Sequence, residues 1–242
     1  MKCSATVSVA SGTAFLNDGA LTISSGTTTA ESGVAVVSNG GTLTLSSSKG
    51  VSGSEGAIVV NGGKAIFEEG TISSTGSAPA VLLCASQAPV DASFKGTPPS
   101  LTSKGGDALV VDGSAQVCKV QINKGTFTPA EGKASIRVTH DTEDADITLS
   151  VVDGVFNAPI VSEGSAPVGG FILGGTFAAQ PAPSLVADGL TFEQNADGLY
   201  APTAVAQIGD AAYLTFKEAI AAATAGDTVT LLRDVTIPES TP

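Results

Sequence analysis

The side chains able to do chemistry are few, and most of them fall in one string. HDTEDAD (His140 to Asp146) holds the only histidine of the chain and four carboxylates, Asp141, Glu143, Asp144 and Asp146. Hard cations take several oxygen ligands, so these four are a candidate calcium site. The string lacks the glycine of an EF-hand loop and matches no calcium-binding nonapeptide repeat. An acidic, solvated loop without metal is therefore the preferred reading. Arg137 lies just before the string, which makes this region the one place to look for a polysaccharide-active site. A glycoside hydrolase would need two facing carboxylates there, and a lyase would need calcium ligands plus a basic residue. The only other arginine is Arg233. Tryptophan is absent and the two tyrosines, Tyr200 and Tyr213, lie near the C-terminal end, so aromatic platforms for sugar rings are scarce.

The three cysteines, Cys3, Cys84 and Cys118, show no CxxC spacing and no histidine partner. They read as buried thiols acting as small apolar residues, with a Cys84–Cys118 bridge left open. No catalytic residue and no cofactor is assigned. A net charge of −12 argues against nucleic acid or an anionic membrane as a partner. Nothing approaches a transmembrane span. MKCSATVSVA (Met1 to Ala10) carries no apolar run of signal-peptide length, so the chain reads as cytosolic or as a piece of a longer exported protein.

The elements that must position any site come from a repeat. NDGALTI (Asn17 to Ile23), NGGTLTL (Asn39 to Leu45) and NGGKAIF (Asn61 to Phe67) start 22 residues apart. Phe15, Val37 and Val59 fall in one column of this alignment; Leu21, Leu43 and Ala65 in a second; Ile23, Leu45 and Phe67 in a third. A fixed period near 20 residues means one supersecondary unit stacked on copies of itself. Alternation along a strand sends Leu21 and Ile23 inward and Thr22 outward. The fold class is all-β: a right-handed parallel β-helix of about 22 residues per coil. Asn17, Asn39 and Asn61 are expected to stack as an inward amide ladder at a corner. Residues 1–12 read as an incomplete first coil.

Downstream the register slips. ALVVDGSA (Ala108 to Ala115) follows AIVVNGGK (Ala57 to Lys64) by 51 residues rather than two periods. The surplus is assigned to a proline-bearing loop between Gln87 and Lys104, the expected place for a binding surface. A second corner signature then appears in KGTF (Lys124 to Phe127), DGVF (Asp153 to Phe156) and GGTF (Gly174 to Phe177), anticipated by EGTI (Glu69 to Ile72). Each glycine should bend the chain and each phenylalanine should enter the core.

LTFEQNADGLYAP (Leu190 to Pro202) reads as a hairpin that ends the β-helix, giving a first domain of residues 1–200. Residues 201–242 read as the start of a second module, a small and truncated β-α-β piece. Its helix, Phe216 to Thr224, opens with a Thr215/Glu218 capping box and has the apolar stripe Phe216, Ala219, Ile220 and Ala223.

Ile208 to Ile237 resembles the unit that opens β-helical modules in large, adhesin-like surface proteins of Gram-positive, often gut, bacteria. It is also similar to the opening segment of pectate-lyase-fold proteins. Leu185 to Tyr200 resembles the closing hairpin of the same surface proteins. The resemblance implies an extracellular or cell-surface module, non-catalytic and structural or adhesive, with host or cell-wall glycans or proteins as partners. The chain departs from that family in showing no signal peptide and no wall-sorting motif. The alternatives are a polysaccharide lyase or glycoside hydrolase of the same fold, and an ice-binding β-helix. The last rests on the outward pair Thr22 and Thr44, a ladder that Ile66 interrupts.

Overall fold

The computed structural model describes residues 1–46, 48–113, 116–140, 147–164 and 169–235, with the backbone alone at residues 48, 49 and 140. The four carboxylates proposed for calcium, Asp141, Glu143, Asp144 and Asp146, lie outside the described residues.

The chain winds through seven coils, each contributing one strand to each of three parallel sheets. Sheet 1 stacks Lys2–Cys3, Ala20–Ile23, Thr42–Leu45, Gly63–Phe67, Val90–Phe94, Cys118–Ile122 and Ile147–Val151. Sheet 2 stacks Val7–Ser11, Thr27–Ser32, Ser48–Gly53, Gly70–Ser74, Ser100–Ser103, Thr126–Thr128 and Val155–Phe156, and then Thr176–Phe177 of a partial eighth coil. Sheet 3 stacks Phe15–Asn17, Val36–Ser38, Ile58–Val60, Val81–Leu83, Leu109–Asp112, Ile136–His140 and Ile160–Gly164. Residues 2–17 thus form a whole first coil, not a partial one.

The inward columns of sheet 1 follow the repeat. Leu21 pairs with Leu43 and Leu43 with Ala65; Ile23, Leu45 and Phe67 do the same, and all six are buried. Further on the coils lengthen. From Leu21 the column steps to residues 43, 65, 92, 120 and 149: the step of 22 holds for the early coils and lengthens after Ala65, and the solenoid as a whole has about 24 residues per turn.

The proline-bearing run is not one loop. It contains Val90–Phe94 and Ser100–Ser103, two strands in full register. The prolines stand just before these strands, where no ladder N–H is needed. The carbonyls of Pro89 and Pro99 still accept from Gly63 and Thr126 of the adjoining coils. The surplus goes into corners. Residues 84–89 and 95–99 turn where residues 61–62 and 68–69 suffice one coil earlier.

The expected amide ladder is only partly present. In sheet 3 Phe15 pairs with Val36 and Asn17 with Ser38, a step of 21, while sheet 1 keeps 22. The difference is one extra corner residue: 39–41 precede Thr42, where 18–19 precede its partner Ala20. A one-residue slip exchanges the two faces of a strand. Phe15 therefore shares a column with Val36 and Ile58, and Val37 and Val59 point outward. Asn17 is buried and donates to Ser38 Oγ at 2.9 Å, whereas Asn61 donates to Asn39 Oδ1 at 2.8 Å at a half-buried corner.

The core carries a continuous file of phenylalanine rings. Phe67 stacks on Phe94 at 4.5 Å in sheet 1. The file crosses to sheet 2 through an edge-on contact of 5.7 Å to Phe127, then continues stacked through Phe156 and Phe177 at 5.0 and 4.7 Å. In each layer the file takes one ring from one of these two columns while the matching position of the other column is aliphatic: Phe67 with Ile72, Phe94 with Leu101, then Phe127 with Ile122, Phe156 with Val151 and Phe177 with Ile172. Interiors have fixed volume, so the ring can change sheets only if its opposite number changes too. The G-x-F spacing has a steric cause as well. A Cβ on Gly125 would lie 2.8 Å from the ring of Phe127, and one on Gly154 3.0 Å from that of Phe156.

The hairpin Phe192–Gln194 / Tyr200–Pro202 closes sheet 2 by antiparallel pairing of Tyr200 with Phe177. Phe192 meets Phe177 edge-on at 5.4 Å and ends the file. Beyond it, Ala206–Ile208, Ala211–Tyr213, the helix Phe216–Ala222 and Val229–Leu231 form a β-β-α-β unit with a three-stranded antiparallel sheet. The capping box is present: Glu218 N–H donates to Thr215 Oγ1 and Thr215 N–H to Glu218. The expected stripe is buried only in part, with Phe216 packed against the small core around Ala219. Ala219 is enclosed with Val205 and Ala206, but Ile220 is 52% exposed, and Leu231 and Leu232 are each 48% exposed.

Candidate binding faces

Three sheets give the solenoid three outer faces, and register gives each its own chemistry. On sheet 1 one outward column runs Lys2, Thr22, Thr44, Ile66, Ser93, Gln121, Ser150. Beside it run Thr42, Lys64, Asp91, Lys119 and Thr148, with Lys64 paired to Asp91 at 3.9 Å. The Thr22–Thr44 pair thus belongs to a mixed, charged face. On sheet 3 the outward column is apolar for five coils, Leu16, Val37, Val59, Leu82 and Val110, before Arg137 and Val161.

Sheet 2 differs from both. Ser8, Thr29, Ser52, Ser73, Thr102 and Thr128 form one outward column over six successive coils. Asn157 continues it by donating to Thr128 Oγ1 at 2.8 Å. A parallel column holds Thr6, Thr27, Thr71, Ser100, Thr126 and Thr176, interrupted at Gly50 and Val155. The backbone positions of a column are spaced by about 4.8 Å from coil to coil, and the two columns stand roughly 6.6 Å apart along the strands. Between the columns the alternate residues Thr28, Val51, Ile72, Leu101, Phe127, Phe156 and Phe177 are buried, which fixes the outward set. Some hydroxyls are joined along the axis: Thr27 donates to Thr6 and Ser52 to Thr29, each at 3.3 Å. No position of either column carries a charge. Sequence inspection misses this face because the steps along its first column run 21, 23, 21, 29 and 26 residues. Its only local trace is the recurring hydroxyl-x-hydroxyl triplet of TVS, TTT, TIS, SLT and TFT.

Arg137, the basic residue considered for catalysis, is occupied. Its Nε and Nη2 donate to the two carboxylate oxygens of Asp107 at 2.7 and 3.1 Å, and Nη1 pairs with Glu163. Asp107 also accepts from the Ala134 N–H at 2.7 Å, so the network ties three successive coils at one corner. Burial, the largest influence on Asp107, pushes its pKa up. The Arg137 and Ala134 hydrogen bonds, with the charges of Arg137 and Lys133, outweigh it and hold the carboxyl below its ordinary value. The stabilisation from Asp107 is therefore complete above the unfolded carboxylate pKa of about 3.9 and is lost as pH falls below that toward the folded value. Asp107→Asn is expected to cost about 2 kcal/mol at pH 7. In urea melts the gap from the parent chain should narrow as pH falls below the unfolded carboxylate pKa of about 3.9; a gap that is constant with pH would show that the charge plays no part.

Among the described residues no group of three or more His, Cys, Asp or Glu side chains could hold a metal ion. The three cysteines are free thiols. Burial pushes the Cys118 thiol up to about 12, which keeps it protonated and inert at neutral pH. Cys84 joins the polar corner column, with Sγ 2.9 Å from Asn61 Oδ1. No described helix is long and apolar enough to cross a membrane. Compared with protein-family models, with curated proteins and with solved structures, the chain finds no match in any of the three.

Proposed function

We propose that the solenoid is a non-catalytic adhesive rod of a bacterial cell-surface or secreted protein, and that the outer face of sheet 2 is its binding surface. The observation that carries this reading is the pair of uncharged columns on this face, one of hydroxyls over six successive coils and one of hydroxyls interrupted at Gly50 and Val155. A stiff stack of coils repeats one contact many times, which suits a repetitive ligand better than a small substrate. The engagement of Arg137 by Asp107 and Glu163 weighs against its service as a lyase base. The direct test is retention of the protein on immobilised cell-wall and mucin glycans. Retention should fall when Thr71 and Thr102 are both replaced by lysine and should survive Thr44→Lys on sheet 1. Cleavage of polygalacturonate that required calcium and vanished in Asp144→Ala would replace this reading with the enzymatic one.

Residues 201–242 are proposed as a second, separately stabilised unit. Its own small core of Val205, Ala206 and Ala219 supports this, as does its exposed Ile220, Leu231 and Leu232. So small a core protects backbone amides poorly. In hydrogen exchange, amides of Ala219 to Ala222 should exchange at least tenfold faster than those of Val36 to Leu45. Equal protection in a monomer would place both segments in one cooperative unit.

A further inference from the structure

The geometry points to the ligand class of the sheet 2 face, on the reading that this face binds at all: a neutral, extended β-linked polysaccharide in its insoluble, ordered form, laid along the solenoid axis. Absence of charge from both columns disfavours ionic ligands. No aromatic side chain occupies an outward position there, so the stacking that usually holds one soluble sugar is missing. What remains is hydroxyl chemistry. A hydroxyl that exchanges liquid water for a sugar hydroxyl gains little, so one or two sugars would bind negligibly. Repetition changes this, because contacts made by one rigid body to another act as linked sites.

The spacing selects the orientation. The coil repeat of about 4.8 Å is close to the length of one sugar ring in an extended chain, so successive rings meet successive coils. The two columns, roughly 6.6 Å apart, flank such a ring and face the hydroxyls at its two edges. The buried alternate residues, from Thr28 through Phe177, keep the columns in place before the ligand arrives, so little ordering is required on binding. A hydroxyl-to-hydroxyl bond within a column, such as Ser52 to Thr29, uses the donor's hydrogen and leaves its oxygen able to accept.

The experiment is sedimentation of the full chain with microcrystalline cellulose and with chitin particles, and in parallel its partition into slowly growing ice. The expected result is co-sedimentation with at least one of the two polysaccharides, not relieved by millimolar soluble oligosaccharide of the same sugar. It should weaken at least tenfold in Thr71→Lys/Thr102→Lys and in Thr29→Lys/Thr128→Lys, and stay unchanged in Thr44→Lys. Circular dichroism confirms that each variant is folded. If the chain enters ice but ignores both polysaccharides, and the sheet 2 variants abolish that, the polysaccharide assignment is overturned while the binding face stands. Binding that the sheet 2 variants leave intact, or binding to no solid, overturns both. Competition by soluble oligosaccharide overturns the requirement for an ordered solid.

Discussion

Phe127→Ala should lower the unfolding free energy by about 3–5 kcal/mol, the cost of emptying a packed aromatic site. Phe127 is fully buried, stacked on Phe156 at 5.0 Å and met edge-on by Phe94 at 5.7 Å. It is the ring at which the file changes sheets, so its loss breaks both arms. The same logic predicts a rescue. Phe127→Leu together with Ile122→Phe moves the ring of that layer back to sheet 1, beneath Phe94, and lets the crossing occur one coil later. Urea denaturation of the single and double variants should show the pair recovering more than half of the loss from Phe127→Ala. A double variant less stable than Phe127→Ala would mean that layer volume does not govern the core.

Gly53→Ala should cost about 3 kcal/mol, at the upper end for overpacking. Its backbone φ is ordinary, so the effect is one of space. A Cβ there would stand 2.1 Å from the Gly56 carbonyl oxygen, 2.7 Å from that of Gly33 and 3.0 Å from the Ala35 nitrogen. All three are backbone atoms, and two belong to the preceding coil, whose distance is set by ladder hydrogen bonds. Relief requires separating the coils. Gly50 provides the internal control. It lies on the same strand, and its Cβ would meet only the Thr71 carbonyl oxygen at 3.8 Å. Gly50→Ala should change stability by less than about 0.5 kcal/mol. Equal melting midpoints for the two variants would show that coil spacing is adjustable.

The coil architecture is legible because a register of 22 residues puts Leu21, Leu43 and Ala65 in one visible column. The G-x-F corners are legible for a related reason: the glycine and the ring it makes room for are neighbours in the chain. What escapes inspection depends on corners, whose length the sequence does not mark. One extra residue at 39–41 moves Asn17 out of the ladder that joins Asn39 to Asn61. The corners 84–89 and 95–99 hide two regular strands behind prolines. The hydroxyl face, whose members recur at unequal intervals, emerges only once every corner has been measured. Asp107 and Arg137 are 30 residues apart, and no local pattern announces their pairing.

The winding itself has a mechanical consequence. Each coil is bonded only to the coil on either side, and the chain reaches the next by completing a turn. Tension applied to the two chain ends therefore does not load all coils together. It concentrates on the outermost turn, whose hydrogen bonds open one after another, and then passes to the next. Every turn released adds about 24 residues of slack, roughly 80 Å of extended chain. The rod yields stepwise under an extending load, dissipating work over many small ruptures while its remaining turns keep their shape.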